Sequence, residues 1–313
     1  MNKNEQKLAS DLSKVADVDV FNNSDIAHIF IHHHDVVRSH DIPGLNVETE
    51  EMKDQVKIKI NVDPDVKIEH PVHMCFGMMI KEGDQKLVID IDIGENSEID
   101  ILAHCAFPNA ENIRHMMDAE IDVGKNASYS YFERHIHGES GGVEVIPKAD
   151  INLEENASFY SEFELLKGRA GLIDIDYETN CAKDSVLEMV SRINAKKEDV
   201  VKIREIGHLN GDNSRGFLNS RVAARGKSKA EVYNKLTASG SYARGHVDCK
   251  EIIQDEATVG AIPIVEVSNP KAHITHEASL GSVDSKQLQT LMSRGLSEDE
   301  ATELIIQGLL SRK

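Results

Sequence analysis

The chain has 313 residues, with 54 acidic against 35 basic side chains and a formal net charge of −19. The basic residues form no stripe, so the electrostatic footprint of a nucleic-acid-binding protein is missing. No apolar run approaches the ~20 residues that a membrane span requires, and the N-terminus has no basic segment followed by an apolar core. We therefore expect a cytoplasmic protein that binds neither nucleic acid nor a membrane.

The N-terminal region carries weak signals. A helix or frayed arm is expected over the first 20 residues or so, followed by a short apolar segment of uncertain type that contains His32, His33 and His34. Neighbouring side chains alternate on a strand and diverge around a helix, so three consecutive histidines cannot all face one ion. A solvated or partner-facing patch is the alternative to a metal site there. We predict a helical or irregular arm at residues 1–64.

A repeat begins after residue 87. Alternating apolar and polar residues flank an asparagine in each copy, and Asn96, Asn126 and Asn156 are 30 residues apart. Asparagine tolerates a left-handed turn, so each copy is typical of strand, turn and strand. Fainter copies continue to residue 267. Such strands at near-constant spacing, without helices between them, indicate a β-solenoid, with a sandwich of hairpins as the alternative.

The pattern becomes helical near the C-terminus. Asp284 is an acidic N-cap with Gln287 three residues later, and Gly295 ends that helix. Ser297 and Glu300 form the capping box of a second helix. The sequence thus predicts a terminal helical hairpin.

The predicted organisation has a β-solenoid core at residues 65–282 and the hairpin at residues 283–313. The apolar stripe of the second helix packs on its own domain, offers a docking face, or does both. Its residues are Ala301, Leu304, Ile305, Gly308 and Leu309.

Cys249, His276 and Glu277 combine a thiol, an imidazole and a carboxylate, the ligand types of a borderline or soft metal. His276 and Glu277 follow Cys249 by 27 and 28 residues, close to one period, which would stack them on neighbouring coils. The alternatives are a small buried thiol and a hydrogen-bonded structural imidazole. His246 and His273 are weaker candidates, because an odd offset points them to the opposite face of a strand.

Cys105 is a further candidate. With His104 beside it or His115 within reach, its thiol could be held partly as thiolate and accept sulfur. A buried, inert thiol is the alternative. The chain has no phosphate-binding Gly-rich motif, no nucleophile elbow and no His-Glu-x-x-His helix. An ATPase activity would therefore belong to another subunit.

Several motifs in combination resemble one family. They are HEAS at residues 276–279, SRGLSEDEA at residues 293–301, PVHMCFG at residues 71–77 and AHCAFP at residues 103–108. With the flanking sequence from residue 220 onward, they resemble the SufB/SufD family of iron-sulfur cluster assembly scaffold subunits. The resemblance covers roughly residues 65–311.

The resemblance implies a mainly β fold, a right-handed parallel β-helix between a short helical N-terminal arm and the C-terminal hairpin. It matches Cys249 to the cysteine at which SufB is thought to ligate a nascent cluster, and His276 and Glu277 to the His-Glu pair beside it. It matches Cys105 to the SufB cysteine associated with sulfur from a cysteine desulfurase. Gly240 stands where SufD offers a histidine, and His104 precedes Cys105 where SufB has glycine after a glutamate.

These matches favour a SufB-like scaffold without enzymatic activity, which holds a transient iron-sulfur cluster as a homodimer with a SufC-type ATPase. The alternatives are a SufD-like structural subunit that binds the ATPase but no cluster, and a β-helix carbohydrate-active enzyme, which the low aromatic content of 4% disfavours. The family docks its ATPase on the C-terminal helices. The residues expected in that contact are Leu288, Leu291, Arg294, Gly295, Leu304 and Ile305.

Overall fold

Strands dominate the computed structural model, which describes residues 3–312. The helices are α1 (Lys3–Ala16), α2 (Ser285–Met292) and α3 (Glu298–Leu310). The strands are β1 (His28–His32), β2 (Asp35–His40), β3 (Leu45–Glu51), β4 (Val56–Val62), β5 (Val72–Gly77), β6 (Glu82–Ile93), β7 (Glu98–Phe107), β8 (Asn112–Val123), β9 (Ser128–His137), β10 (Val143–Leu153), β11 (Ser158–Lys167), β12 (Leu172–Cys181), β13 (Val186–Ala195), β14 (Val200–Leu209), β15 (Arg215–Ala224), β16 (Lys229–Ala238), β17 (Arg244–Ile253), β18 (Thr258–Val267) and β19 (His273–Gly281).

The strands from β4 to β19 build a parallel solenoid, which confirms the predicted fold. Even-numbered strands stack into one sheet in the order β4 to β18, and odd-numbered strands stack into the other in the order β5 to β19. Each consecutive even and odd pair makes one coil. Apolar side chains point inward from both sheets and form one continuous core along the solenoid axis.

The asparagines of the repeat form a ladder at the turns between the two sheets. Asn96, Asn126 and Asn156 have φ angles of 59°, 58° and 59°, the left-handed conformation that their turns require. The side-chain amide of Asn126 donates to Asn96 Oδ1 at 2.8 Å, and that of Asn156 donates to Asn126 Oδ1 at 3.0 Å. The same residue type therefore satisfies the turn backbone and links successive coils.

The N-terminal region differs from the predicted helical or irregular arm at residues 1–64, because only α1 is helical there. Strand β1 pairs antiparallel with β2 and parallel with β5, and β3 pairs antiparallel with β4. Helix α1 packs its buried Leu12 against the outer face of the odd-numbered sheet. This end of the solenoid is thus covered by segments of the same chain.

The histidine run forms the turn between β1 and β2. His32 Nε2 accepts from the Met79 amide at 3.1 Å, and His34 Nε2 accepts from the Lys86 amide at 3.2 Å. His33 has a φ of 58°. Two of the three rings therefore bind the backbone of the solenoid, and the run does not converge on a common point.

The C-terminal end is open. Strands β18 and β19 form the last coil, and no further coil covers their end. Val267 is 47% exposed and Leu280 is 41% exposed. No helix within residues 3–312 is both long enough and apolar enough to cross a membrane.

The helical hairpin has the predicted caps. The Asp284 side chain accepts from the Gln287 amide, and Ser297 and Glu300 complete a capping box. Its packing face differs from the predicted stripe. Ile306 and Leu310 are buried against Ala223 of β15.

Candidate functional sites

Cys249 lies on β17 with its side chain inside the solenoid. It is fully buried, opposite Ser220 of β15 on one side and Ala278 of β19 on the other. Asn234 Nδ2 lies 4.0 Å from its sulfur. Burial raises the pKa of the thiol to about 11, so the thiol is protonated in this arrangement.

His276 lies on the same side of the sheet as Cys249, two residues further back along the strand. The coil here contains 29 residues, so Cys249 lies opposite Ala278 and His276 lies opposite Val247. Side chains two residues apart on a strand face the same way and are separated by about 6.6 Å. The structure thus places the thiol and the imidazole on one face of neighbouring strands, offset by two positions.

Glu277 lies on the other side of the sheet. It is opposite Asp248, and its Oε1 is 3.8 Å from Lys250 Nζ on the outer surface. His246 is also on the outer face, where its Nδ1 is 2.7 Å from Thr275 Oγ1. The carboxylate and this imidazole therefore point away from the interior that Cys249 faces.

The carboxyl group that shares the inner face with Cys249 is that of Glu251. It is 3% exposed and accepts a hydrogen bond from Ser220 Oγ at 2.9 Å. Burial raises the pKa of Glu251 to about 7. The sequence signal was the spacing of two residues between Cys249 and Glu251, which gives both the same direction on a strand.

The residues expected to bind an ATPase lie on or beside α2 and α3. Leu304 is 47% exposed on the side of α3 that faces away from the solenoid. Arg294 and Gly295 are exposed, and Leu288, Leu291 and Ile305 are half-buried. The hairpin therefore keeps an accessible apolar surface while its other side packs on β15 and β13.

A second cluster lies near the N-terminal end, inside the first coils. Cys105 of β7, His115 of β8 and Glu133 of β9 each place one potential ligand atom within 4.8 Å of the other two. All three side chains are buried. Within residues 3–312 this is the group of metal-ligand side chains that converges in this way.

His104, the neighbour of Cys105, faces outward and stacks on His73 with a ring-centroid distance of 5.8 Å. Its ring therefore does not contribute to the cluster around Cys105. His115, by contrast, comes from the opposite sheet and points into the interior. Burial raises the pKa of the Cys105 thiol, and the Glu133 carboxyl beside it adds to that effect.

Glu133 begins a chain of hydrogen bonds that fixes its proton. His137 Nδ1 lies 3.0 Å from the Arg169 carbonyl oxygen, which only accepts, so this nitrogen carries a hydrogen. His137 Nε2 then accepts from His135 Nδ1 at 3.1 Å, and His135 Nε2 accepts from Glu133 Oε1 at 2.6 Å. With neutral imidazoles, Glu133 must be the proton donor.

The electrostatics agree with this assignment. Burial lowers the pKa of His135 and of His137 to about 3, and burial raises the pKa of Glu133. The reading of the sequence missed these residues. Their signal was the alternating pattern Glu-x-His-x-His at residues 133–137, which places all three side chains on one face of a strand.

Comparisons with known proteins agree with the fold and with the motifs. Residues 81–309 match the family model described as "SUF system FeS cluster assembly, SufBD core domain". An iron-sulfur cluster assembly SufBD family protein of Methanocaldococcus jannaschii is 43% identical over 267 residues, which cover 85% of this chain and 84% of the relative. One of Pyrococcus horikoshii is 41% identical over 294 residues, covering 94% and 89%. One of Archaeoglobus fulgidus is 31% identical over 249 residues, covering 79% and 66%.

Proposed function

Because this chain belongs to the SufBD family of iron-sulfur cluster assembly proteins, we propose that it is a cytoplasmic scaffold that holds and hands on a nascent cluster. The cluster is cargo, bound through Cys249 and His276 with Glu277 nearby. The observation that carries the proposal is the position of Cys249, on the same face as His276 and one strand from the open end of the solenoid. The family's role in assembly gives no support to the carbohydrate-active alternative.

We propose further that a second copy of the chain covers the open end. The last coil leaves apolar side chains exposed, among them Val267 and Leu280. Two copies packed end to end would bury this surface and bring two sets of Cys249, His276 and Glu277 together. A single chain offers one thiol there, and its carboxylate points outward, so a dimer would supply the missing ligands.

A SufC-type ATPase is the proposed partner of the hairpin, and the packing of the hairpin suggests how it would act. Ile252 of β17 contacts the cluster of Ile306 and Ala223 from the outer face of the sheet. Arg225 also binds Glu303 of α3 at 2.7 Å. A shift of the hairpin would therefore be transmitted to the strand that carries Cys249, whose thiol must be uncovered to bind iron.

Cys105 is the proposed acceptor of sulfur from a cysteine desulfurase. Its full burial means that the donor would reach it only after the N-terminal end opens. A radiolabelled persulfide that forms on the intact chain and is lost in Cys105→Ser, but not in Cys75→Ser, would support this role. Persulfide formation that is equal in both variants would reject it.

The proposed cargo site is tested by anaerobic reconstitution with iron and sulfide. We expect Cys249→Ser to lose most of the cluster absorption and the bound iron, because the substitution removes the thiolate ligand. Cys181→Ser is the matched control, since Cys181 is also a buried thiol on the inner face. A chromophore that survives Cys249→Ser unchanged would favour the SufD-like alternative, in which the chain binds the ATPase but no cluster.

The partner site is tested by co-purification with the ATPase. Deletion of residues 284–313 is expected to abolish binding, and Leu304→Glu to weaken it at least tenfold, because Leu304 is the most exposed apolar side chain of α3. Tyr242→Glu, at a 55% exposed aromatic residue away from the hairpin, is the control. Full binding by the Leu304→Glu chain would place the contact elsewhere.

A further inference from the structure

We propose that Cys105, His115 and Glu133 form an internal binding site for one divalent borderline transition-metal ion, of the class of Zn²⁺ and Fe²⁺. The site is separate from the proposed cargo site at the other end of the solenoid. It joins three consecutive strands, β7, β8 and β9, and both sheets. The inference does not depend on the cluster-assembly role.

The spacing of the ligand atoms fits a tetrahedral ion. Cys105 Sγ lies 3.7 Å from Glu133 Oε1. Metal–sulfur and metal–oxygen bonds of about 2.3 and 2.0 Å at a tetrahedral angle place the two ligand atoms about 3.5 Å apart. The upper limit of 4.8 Å between all three ligand atoms leaves a small contraction for the imidazole of His115.

The unpaired atoms of the cluster also point to a missing partner. Both ring nitrogens of His115 and Oε2 of Glu133 are buried without a hydrogen bond. His115 is 1% exposed, and its ring lies 5.0 Å from that of Phe107 and 5.9 Å from that of His135. A buried polar group without a partner costs about 1–3 kcal/mol. An ion between these residues would satisfy one His115 nitrogen and Glu133 Oε2 together.

The ligand set selects the class of ion. A thiolate and an imidazole disfavour Mg²⁺ and Ca²⁺, which prefer oxygen, and a carboxylate with a single thiolate disfavours Cu⁺. The thiolate and the carboxylate also carry two negative charges, which match a divalent ion in an interior where unpaired charge is costly. Three protein ligands leave a fourth position open in a tetrahedral site.

The proton balance of binding is simple. The Sγ–H bond of Cys105 is replaced by an Sγ–metal bond, and that proton leaves to solvent. His115 donates a nitrogen lone pair, and Glu133 binds through Oε2. The proton between Glu133 Oε1 and His135 Nε2 remains in their hydrogen bond and moves toward nitrogen, so His135 orients the ligating carboxylate. No electron is transferred.

An ion at this position has a consequence for Cys105. While the thiolate is bound to the metal, it cannot accept sulfur. The internal site and the proposed sulfur acceptor are therefore alternative states of one residue, and the metal content of a preparation would determine how much persulfide forms.

The experiment uses the full chain carrying Cys249→Ser, so that the cargo site contributes no thiolate. The chain is stripped with a chelator and loaded separately with Zn²⁺, with Fe²⁺ under anaerobic conditions, and with Co²⁺ as a spectroscopic probe. We expect about one ion per chain after gel filtration. The cobalt form should show thiolate-to-metal charge transfer and the intense ligand-field bands of a tetrahedral site.

Further substitutions in this background locate the site. Cys105→Ser should remove the charge-transfer band, His115→Gln should reduce Zn²⁺ affinity at least tenfold, and Cys181→Ser should change neither. Zn²⁺ should raise the Tm of the parent but not that of the Cys105→Ser chain. If His115→Gln fails to fold, the cobalt spectra of the parent and of the Cys181→Ser chain decide.

No bound ion, or a cobalt spectrum without thiolate character in the parent, would overturn the proposal. Because Cys249 is absent from every chain in this experiment, its failure leaves the proposed cargo site untouched. Loss of cluster reconstitution in Cys249→Ser, in turn, says nothing about the internal ion.

Discussion

Cys105 and Cys249 face the same interior from opposite ends of the solenoid, and their surroundings differ. Around Cys105 the chain covers its own end with α1 and the strands before β4, and an imidazole and a carboxyl group converge on the thiol. Around Cys249 the last coil is open, and the other proposed ligands lie two positions away or on the outer face. A site within one chain can be complete only where the chain covers its own coil. The site at the open end therefore depends on a second molecule.

The first way to break this comparison is to block the open end. Val267→Asp places a charge on the inner side of the last coil, so we expect the proposed homodimer to dissociate into monomers, because an unpaired charge would be buried in the interface. Light scattering after size-exclusion chromatography measures the mass. Val186→Asp, at a residue 40% exposed in a middle coil, should leave the dimer intact. A dimer that persists with Val267→Asp would mean that the end is covered in another way.

The second prediction probes the covered end. Phe107 is fully buried and contacts the rings of His115 and His137 at 5.0 and 5.6 Å. Phe107→Ala should lower the free energy of unfolding by about 3–5 kcal/mol through lost burial and a cavity. Urea denaturation measures the change. Val267→Ala at the open end should cost the monomer less than about 0.5 kcal/mol, and equal losses at both ends would contradict the comparison.

The third prediction concerns the interior between the two ends. Glu205 is buried, accepts from Ser191 Oγ at 2.7 Å, and has its pKa raised by burial from 4.5 to about 7. The folded state thus keeps a proton that the unfolded state loses above pH 4.5, and this group's contribution to stability falls as the pH rises from 4.5 to 7. The loss is about 3 kcal/mol in total.

Glu205→Gln should remove this dependence. The variant should gain stability relative to the parent between pH 5 and pH 8, by up to about 3 kcal/mol, in urea denaturation at each pH. Glu256→Gln, at an exposed carboxylate, is the control. A stability difference between parent and variant that is flat with pH would show that Glu205 is ionised in the folded protein.

Local signals in the sequence predicted much of the fold. The asparagines at positions 96, 126 and 156 specify the turns by their own conformational preference, and Asp284 and Ser297 specify the helix starts through their own hydrogen bonds. These features depend on neighbours within a few residues. They can therefore be read without knowing the rest of the fold.

The site required more than local signals. A coil of 29 residues, where 27 had been taken as one period, displaced His276 from Cys249 by two positions. The internal cluster was missed because His115 reaches it from the opposite sheet, a contact that no spacing along one strand reveals. On α3 the 3.6-residue period permits two neighbouring stripes, and packing against Ala223 selects the one with Ile306.

The asparagine ladder makes the length of this molecule adjustable. Residues 127–156 form one repeat, and the sequence Asn-Ala-Ser recurs at its two boundaries, at residues 126–128 and 156–158. A duplication of this segment would recreate a natural junction and leave the ladder unbroken. Each added coil would move the two ends apart by one strand spacing of about 4.8 Å. In gene duplications, the separation between the ends could thus change in fixed steps while the turns and their hydrogen bonds stay the same.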